Sequence, residues 1–361
     1  MGKSTVIPFG PQHPVLPEPI HLDLELQDEK VVRAIPSIGY VHRGLEKLVE
    51  KRGFQEYVYV AERVCGICSF GHGWGYSKAV EGLMGIEVPK RAEYLRTIWH
   101  ELSRLHSHLL WVGLGADGMG FESLFMHAWR LREIILDIFE STTGGRVIFS
   151  ACKVGGVRRD IADSELKEIV ARLDKLKKEI DAMIYIILGD ETIHARLRRV
   201  GVVTLEDAIA LGCVGPTARA SGLPLDYRCG DEGGAYKDLG FRPITETEGD
   251  CFARCKVRLR ELLQSIDIIK GCVENMPAGD IAVPVKGFPP AAEHFTRVEQ
   301  PRGEALYYVK GNKTKNLERF RLRTPTNANL AVLVKMLQGC DLADVPNIIL
   351  TIDPCISCCE R

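Results

Sequence analysis

Residues 63–72 read RVCGICSFGH, and residues 353–361 at the far end of the chain read DPCISCCER. Each stretch holds two cysteines with two residues between them, Cys65 and Cys68 in the first and Cys355 and Cys358 in the second. One Cys-x-x-Cys turn points both sulfurs to the same side, so two such turns that face each other supply four thiolates, a donor set that selects soft metals. The sequence therefore predicts a fold that brings the end of the chain back onto residues 63–72.

The composition is that of a globular protein with a substantial core. Of the 361 residues, 45% are hydrophobic and 26% are charged, and the net charge is −1. This balance does not favour nucleic acid or an anionic membrane surface as a partner. No apolar run approaches the roughly 18 residues of a membrane-spanning helix, and the start of the chain lacks the apolar segment of a secretory signal. Twelve cysteines without an export signal indicate a reducing compartment, so we expect a cytoplasmic protein.

The apolar pattern predicts a mostly α-helical protein with small β appendages, an α+β fold. Residues 20–26 alternate strictly and residues 31–35 return after a turn at 27–29, which predicts an N-terminal β-hairpin. Apolar steps of three and four residues predict a central bundle of long helices. The helices are expected over 91–114, 165–188 (capped by Asp163 or Ser164), 252–276 and 329–337, and short strands over 304–309 and 317–322.

No internal repeat or linker interrupts this pattern, so a single domain over residues 1–361 is expected. Its four segments are the hairpin (1–43), the helical bundle (44–285), a small β region (286–325) and a final helix with the cysteine-bearing tail (326–361).

The cysteine pairs by themselves leave the metal open. On spacing alone, a closed and inert structural zinc site with four thiolates is as good an interpretation as a catalytic centre. Disulfide pairing is disfavoured by the reducing compartment. The remaining cysteines, for example Cys251 and Cys255 near the start of the helix over 252–276, are interpreted as core residues, because a free cysteine packs as a small apolar side chain.

The residues around the two pairs are more specific than the pairs themselves. Arg63-x-Cys-Gly-x-Cys-x-x-x-His72 together with Asp353-Pro-Cys-x-x-Cys resembles the two signature motifs of nickel–iron hydrogenase large subunits. Residues 10–14 (GPQHP), 42–47 (HRGLEK), 219–222 (RASG) and 301–304 (PRGE) resemble segments of the hydrogenase branch that is related to the 49 kDa-type subunit of respiratory complex I. Within that branch, the compact length and the ending resemble the energy-converting, membrane-associated group, which includes Ech-type and carbon-monoxide-induced enzymes.

The resemblance implies a nickel–iron centre and a set of ligands for it. Cys65, Cys68, Cys355 and Cys358 would hold nickel, and Cys68 and Cys358 would also bridge to an iron that carries carbon monoxide and cyanide. His72 would donate a hydrogen bond to a bridging sulfur and tune the metal. Many relatives have histidine where this chain has Arg361, so the third metal site of those relatives is not carried over.

Four further roles are carried over from the family. Arg302 would overhang the iron, with Asp353 orienting it, and Thr326 would hydrogen-bond a cyanide. Glu46, in the HRGLEK segment, would relay protons, since a partly buried carboxylate with a raised pKa suits such an exchange.

The implied activity is that of a catalytic large subunit that interconverts protons and electrons with dihydrogen. Its partners would be a small subunit carrying an iron–sulfur cluster, further iron–sulfur and ion-translocating membrane subunits, and a ferredoxin-type donor, which would hold the chain on the inner face of the cell membrane. Two alternatives stay open: a metal-free scaffold subunit of a complex I-like quinone reductase, which the four cysteines oppose, and a zinc-stabilised interaction protein.

Overall fold

The alternating residues at the N-terminus form one face of a small antiparallel sheet. The computed structural model describes residues 4–230 and 233–361, and the sheet consists of β1 (Thr5–Phe9), β2 (His21–Gln27) and β3 (Lys30–Ser37) in that order. Leu22, Leu24 and Leu26 of β2 point into the core, as the period of two requires. The β2–β3 pair confirms the predicted hairpin; β1, which joins its edge, was not predicted.

Twelve α-helices account for almost half of the described residues. They are α1 (Tyr57–Glu62), α2 (Ser69–Met84), α3 (Lys90–Gly118), α4 (Glu122–Thr143), α5 (Asp163–Gly189), α6 (Glu191–Leu197), α7 (Leu205–Ala210), α8 (Gly215–Arg219), α9 (Cys251–Glu274), α10 (Pro325–Leu337), α11 (Val345–Ile352) and α12 (Ile356–Glu360). Between α4 and α5, two-residue strands β4 (Cys152–Lys153) and β5 (Gly156–Val157) form a minimal hairpin.

The long helices form the predicted bundle. Helix α3 lies at its centre, packed against α4 and α9, and α5 packs against α9 and α4. The apolar stripes are buried, as their period of 3.6 residues requires. The predicted caps of α5 were wrong: Ala162 precedes its first turn, and the Glu165 carboxylate accepts a hydrogen bond from the Ala162 backbone N–H at 3.0 Å.

A second antiparallel sheet follows the bundle and lies against α2. Its strands are β6 (Glu293–Gln300), β7 (Gly303–Lys310) and β8 (Arg319–Arg323), in that order. Helices α11 and α12, which were not predicted, then carry the tail into the interior. One continuous apolar cluster takes in residues from Phe9 to Cys358, so the tail is part of the core. Across the described residues, none of the helices has the length and hydrophobicity that a bilayer-spanning segment needs.

A buried network of charged side chains joins the central helices to the second sheet. Arg219 on α8 contacts Glu261 on α9 at 2.8 Å, Glu299 on β6 at 2.7 Å and Asp226 at 3.2 Å, and all four side chains are fully buried. The same network includes two more guanidiniums and one more carboxylate: Arg104, Arg228 and Glu101.

The network holds four carboxylates and three guanidiniums, and this imbalance shows at Glu299. Burial first, and then the neighbouring Asp226, raises the pKa of the Glu299 carboxyl to about 7, although Arg219 opposes the shift. Each guanidinium therefore balances charges that the low-dielectric interior would otherwise leave uncompensated.

We expect Arg219→Leu to lower the free energy of unfolding by about 3–5 kcal/mol, because it strips the partner from several buried carboxylates. Arg260→Leu is the matched control: Arg260 is on α9, half-exposed, and paired with Glu246 at 2.6 Å, so its loss should cost less than about 1 kcal/mol. Urea unfolding followed by circular dichroism measures both. Equal effects of the two substitutions would contradict a structural role for the network.

Candidate metal centre

The two cysteine pairs sit where the chain changes direction at helix ends. Cys65 follows α1, and Cys68 is the residue that precedes the first turn of α2. Asp353 ends α11 in a left-handed conformation (φ 56°), which turns the chain so that Cys355 precedes the first turn of α12. The sulfur of Cys68 thus lies at the N-terminal end of a sixteen-residue helix, where the helix dipole favours a thiolate.

The four sulfurs meet in the interior. Cys65 Sγ is 3.3 Å from Cys355 Sγ, and Cys68 Sγ is 3.3 Å from Cys358 Sγ, across 290 positions of sequence in each case. All four side chains are buried. The ligand atoms of Cys65, Cys355 and Cys358 lie within 4.8 Å of one another, and so do those of Cys68, Cys358 and His72. The predicted return of the tail onto residues 63–72 is therefore what the structure has.

The acidity of these thiols shows that the quartet suits a cation. Hydrogen bonds from the other three cysteines, that from Cys355 most strongly, hold the pKa of Cys68 well below its usual value. Burial raises the pKa of Cys358 well above its usual value, and the neighbouring thiols raise it further. Ionisation of Cys68 is thus favoured, whereas burial and the neighbouring thiols oppose a second negative charge on Cys358. A soft dication bound by the four sulfurs removes that conflict, so the donor set fits a thiolate-bound metal.

An arginine clamp holds the two motifs together. Arg43, in the HRGLEK segment, donates to the carbonyls of Arg63 at 2.9 Å and Val64 at 2.8 Å, just before the first pair, and to that of Ser357 at 2.8 Å, inside the second. The Glu360 carboxylate accepts hydrogen bonds from two backbone amides of the loop that precedes Arg43. The tail is therefore docked by hydrogen bonds as well as by apolar packing.

His72 is placed against the sulfurs from α2. Its Nε2 is 3.2 Å from Cys358 Sγ and 3.5 Å from Cys68 Sγ, and the ring is fully buried. On its other side, Nδ1 contacts Tyr307 and Gln300 of the second sheet. The imidazole is thus beside the two sulfurs for which a bridging position was predicted.

Arg302 and Asp353 form a buried ion pair beside the quartet. Arg302 Nη2 donates to Asp353 Oδ1 at 2.7 Å, Nε donates to the Asp353 carbonyl at 2.9 Å, and Nη1 donates to Ser107 Oγ at 3.0 Å. Burial by itself would lower the pKa of Arg302, but Asp353 and the cysteines outweigh it and hold that pKa well above its usual value. A permanent positive charge therefore faces the cysteines. Ser107, on α3, was not singled out from the sequence.

Thr326 and Glu46 make contacts that the sequence did not foresee. The Thr326 hydroxyl accepts a hydrogen bond from the Cys355 backbone N–H at 2.9 Å, which fixes the second pair and leaves the hydroxyl proton to donate. Glu46 accepts from Arg321 and from Arg361, each at 2.9 Å, and from the Leu322 backbone N–H at 3.0 Å. The two guanidiniums thus hold Glu46 between β8 and the end of the tail.

A second carboxylate, Glu18, reaches the quartet and was missed in the sequence. Its Oε2 accepts from the Ser357 backbone N–H at 2.8 Å, and the Cys355 thiol is also among its hydrogen-bond partners. Burial raises the pKa of Glu18 above its usual value. The same side chain lines an open cleft with His13 and the prolines of the β1–β2 loop. An acid between two prolines carries no functional signal, and only the folded loop brings it to Cys355.

The comparisons with known proteins agree with this geometry. Residues 118–288 and 282–361 match the family model described as respiratory-chain NADH dehydrogenase, 49 kDa subunit, and residues 43–112 match the model of nickel-dependent hydrogenases. The chain therefore belongs to the oxidoreductase family that includes the 49 kDa-type respiratory subunits and the large subunits of nickel-dependent hydrogenases.

Individual relatives span nearly the whole chain. It is 40% identical to the membrane-bound hydrogenase subunit alpha of Pyrococcus furiosus, covering 98% of this chain and 87% of the relative. It is 39% identical to the carbon monoxide-induced hydrogenase of Rhodospirillum rubrum, covering 99% and 100%. Among solved structures, a chain of the membrane-bound sulfane sulfur reductase, an archaeal respiratory membrane complex, superposes with a TM-score of 0.94 at 31% identity, covering 99% of this chain and 98% of that one.

One further carboxylate lies just before the first cysteine pair. Glu62, the last residue of α1, is buried; Ser150 Oγ donates to its Oε2, while its Oε1 has no hydrogen-bond partner among the described residues. Burial raises the pKa of Glu62 to about 7, and the hydrogen bond from Ser150 only partly offsets that rise. A neutral carboxyl is therefore favoured at this position below neutral pH.

We expect Glu62→Gln to stabilise the protein increasingly as pH rises. The folded pKa of about 7 lies above the unfolded value of about 4.3, so the folded wild type binds the extra proton and loses stability between about pH 4.5 and pH 7. Glutamine has no proton to lose, so the difference in unfolding free energy should grow from near zero at pH 4 to about 3–4 kcal/mol at pH 8. Urea unfolding at several pH values measures it. Glu168→Gln, on the exposed face of α5, should show no such trend; parallel curves for wild type and Glu62→Gln would contradict the buried titration.

Proposed function

We propose that the chain is the catalytic large subunit of a nickel–iron hydrogenase in an energy-converting membrane complex. It would interconvert protons and electrons with dihydrogen. The observation that carries the proposal is the meeting of two complete Cys-x-x-Cys pairs around His72, beside a buried arginine–aspartate pair. A structural zinc site requires neither the histidine nor the buried guanidinium.

The residues present fit a nickel–iron centre. Cys65, Cys68, Cys355 and Cys358 would hold it. When bound, such a centre would supply the redox-active metals at which dihydrogen is split or formed. His72 lies beside the sulfurs of Cys358 and Cys68, where a hydrogen bond to sulfur would tune the bound metals.

Arg302 and Thr326 would surround the diatomic ligands of the iron. The Arg302 guanidinium is fixed by three hydrogen bonds, so it provides a positive charge that needs no reorganisation during turnover. Thr326 can donate its hydroxyl proton while it accepts from the Cys355 backbone. Asp353 keeps the guanidinium in place, and burial of this group of residues excludes water from the charge that they stabilise.

Glu18 would carry protons between the centre and solvent. A proton on Cys355 Sγ would pass to the Glu18 carboxylate, and from there to water in the open cleft of the β1–β2 loop. The raised pKa of Glu18 brings its proton affinity closer to that of a thiol, which favours exchange in both directions. Each transfer moves one proton from a donor to an acceptor, so the summed charge of that donor and acceptor does not change.

Glu46 remains the relay residue that the family resemblance implies. It lines a second open cleft with His42, Glu360 and Arg361, near the second cysteine pair. Its two ion pairs favour a structural role instead. Glu46 binds Arg361 of the tail and Arg321 of β8, and so links the tail to β8. Substitution of Glu18 and of Glu46 by glutamine distinguishes which of the two carboxylates relays protons.

Electrons would enter through a partner. The quartet itself is buried, but Gly66 and Ile67 in the first motif and Ser357 in the second are half-buried, so the cover over the sulfurs is thin there. A small subunit with an iron–sulfur cluster would dock on this side, and further iron–sulfur and ion-translocating membrane subunits with a ferredoxin-type donor would complete the complex. The chain would then lie peripherally on the inner face of the cell membrane.

The match to the 49 kDa-subunit model supports a second candidate, a metal-free subunit of a complex I-like quinone reductase. That function uses the same fold but has no need of four convergent cysteines. Metal analysis separates the two candidates.

We expect the protein, purified anaerobically with its partner subunits, to contain nickel in a one-to-one ratio with the chain. Its infrared spectrum should show carbonyl and cyanide stretches, because the four thiolates, Arg302 and Thr326 would hold an iron with those ligands. Cys358→Ser should lose both metals and the bands. Nickel-free protein with a silent spectrum would support the quinone-reductase candidate, and stoichiometric zinc would support a structural site.

We expect Glu18→Gln to retain its metals and lose hydrogen–deuterium exchange activity by about a hundredfold or more, the usual effect of removing a general acid–base group. Glu46→Gln, the matched change in the second cleft, should retain more of this activity, because Glu46 is occupied by two arginines. Isotope exchange by mass spectrometry, with metal content as the control, measures both. The reverse order would make Glu46 the relay.

A further inference from the structure

Both ring nitrogens of His72 are engaged, and the groups on the two sides differ in kind. Nε2 faces the sulfurs of Cys358 and Cys68, which accept hydrogen bonds. Nδ1 faces the Tyr307 hydroxyl at 3.0 Å and the Gln300 side-chain amide nitrogen at 3.3 Å. An amide nitrogen only donates, and a hydroxyl can donate, so Nδ1 faces donors.

The two polar groups behind the ring form a chain of donors. The Gln300 amide nitrogen donates to the Tyr307 hydroxyl oxygen at 2.5 Å and also lies 3.3 Å from His72 Nδ1. The Tyr307 hydroxyl lies between two acceptors of its proton, His72 Nδ1 at 3.0 Å and the Gly71 carbonyl at 3.2 Å. Burial raises the pKa of Tyr307 well above its usual value, and the negative sulfurs raise it further, so the hydroxyl keeps its proton. With Nδ1 accepting from the Gln300 amide or the Tyr307 hydroxyl, Nε2 carries the ring proton and aims it at sulfur.

The glycines of α2 make room for this chain. A Cβ on Gly75 would lie 2.2 Å from the Tyr307 ring, and a Cβ on Gly71 would lie 3.2 Å from the Gln300 side chain. The two glycines are one turn apart and flank His72 on the face towards β6 and β7. Each glycine inside a helix costs about 1 kcal/mol relative to alanine, so their presence is best explained by the close approach of the sheet.

We propose that Tyr307 and Gln300 are positioning residues that hold His72 in the Nε2–H tautomer and aim this N–H at the sulfur of Cys358, through a slot that Gly71 and Gly75 open in α2. Gln300 and Tyr307 lie on β6 and β7, and their side chains hydrogen-bond to each other and to His72. They act through the imidazole, in the way that outer hydrogen-bond partners orient the groups around a metal. The tautomer is a property of the chain alone; its effect on a nickel–iron centre rests on the proposed function.

A hydrogen bond from Nε2–H withdraws electron density from the Cys358 sulfur. Loss of this bond would make the thiolate a stronger donor to the metals that it holds. The added electron density on iron would weaken the carbon–oxygen bond of a carbonyl ligand by back-donation. The carbonyl stretching frequency therefore falls when His72 no longer donates, provided that the metals are still bound.

Tyr307→Phe tests the proposal, with Tyr308→Phe as its matched control, because Tyr308 is the next residue of β7 and lies on the opposite, half-exposed face. In the complex with its partner subunits, Tyr307→Phe should shift the carbonyl band to lower frequency at unchanged nickel and iron content. Tyr308→Phe should leave the band in place. Gln300→Leu, which removes the other donor, should shift it in the same direction. A carbonyl band in Tyr307→Phe that is indistinguishable from that of Tyr308→Phe would overturn the proposal.

A second readout does not depend on the metals. Nitrogen-15 spectra of the reduced, metal-free full chain, with His72 assigned by its absence in His72→Gln, report which ring nitrogen carries the proton. Wild type should show the proton on Nε2, and Tyr307→Phe should show a mixture of both forms. A proton on Nδ1 in wild type would overturn the proposal. Absence of carbonyl and cyanide bands from wild type would refute the proposed function instead, and the tautomer would still decide this inference.

Discussion

The structure depends on two sulfur–sulfur contacts between residues that are 290 positions apart. They bring the tail into the interior, and the rest of the site is arranged around that position. The bundle holds α3, which presents Ser107 to Arg302; the second sheet presents Tyr307 and Gln300 to His72; and Arg43 fastens both cysteine motifs by their carbonyls. If the tail were displaced, Arg302 would lose Asp353 as its partner, and buried charges would be left without compensation.

Different sides of the cysteine quartet carry different charged and polar groups. On one side lies a fixed positive group, the Arg302 guanidinium, and on another the imidazole of His72, whose contacts direct an N–H towards sulfur. Towards the β1–β2 loop lies Glu18, whose pKa burial raises above its usual value. Stabilisation of negative charge and delivery of protons thus come from different faces of one buried site, an arrangement suited to chemistry that separates a proton from a pair of electrons.

Much of the fold was predictable because it rests on local periodicity. The apolar stripes of α3, α5 and α9 and the alternation of β2 follow directly from burial, so their existence and type could be predicted. The cap of α5 was not predictable, because a side chain three residues into the helix replaced the expected capping residue. The strand β1 and the short helices α11 and α12 depend on tertiary contacts rather than on their own pattern.

The site was predictable to the extent that its residues belong to spaced motifs. The cysteines and His72 belong to spaced motifs, and Arg302 and Asp353 lie in the short segments Pro-Arg-Gly and Asp-Pro-Cys. Glu18, Ser107, Tyr307 and Gln300 come to the site from separate elements through the fold, and nothing in their local sequence marks them. The ion pairs of Glu46 are equally nonlocal, since Arg321 and Arg361 are 275 and 315 positions away.

With a metal bound as proposed, the docking of the tail would make metal affinity and folding a single linked equilibrium. Cys355 and Cys358 could act as ligands only when α11 and α12 have entered the core, and without a metal the raised pKa values of these two thiols oppose the charge that binding requires. Closure of so long a loop is entropically costly, and a dication that binds only the closed form draws the equilibrium towards it. Substitutions remote from the sulfurs that loosen the Arg43 clamp or the Glu360 contacts would therefore lower the apparent metal affinity in proportion to the fraction of molecules whose tail is closed.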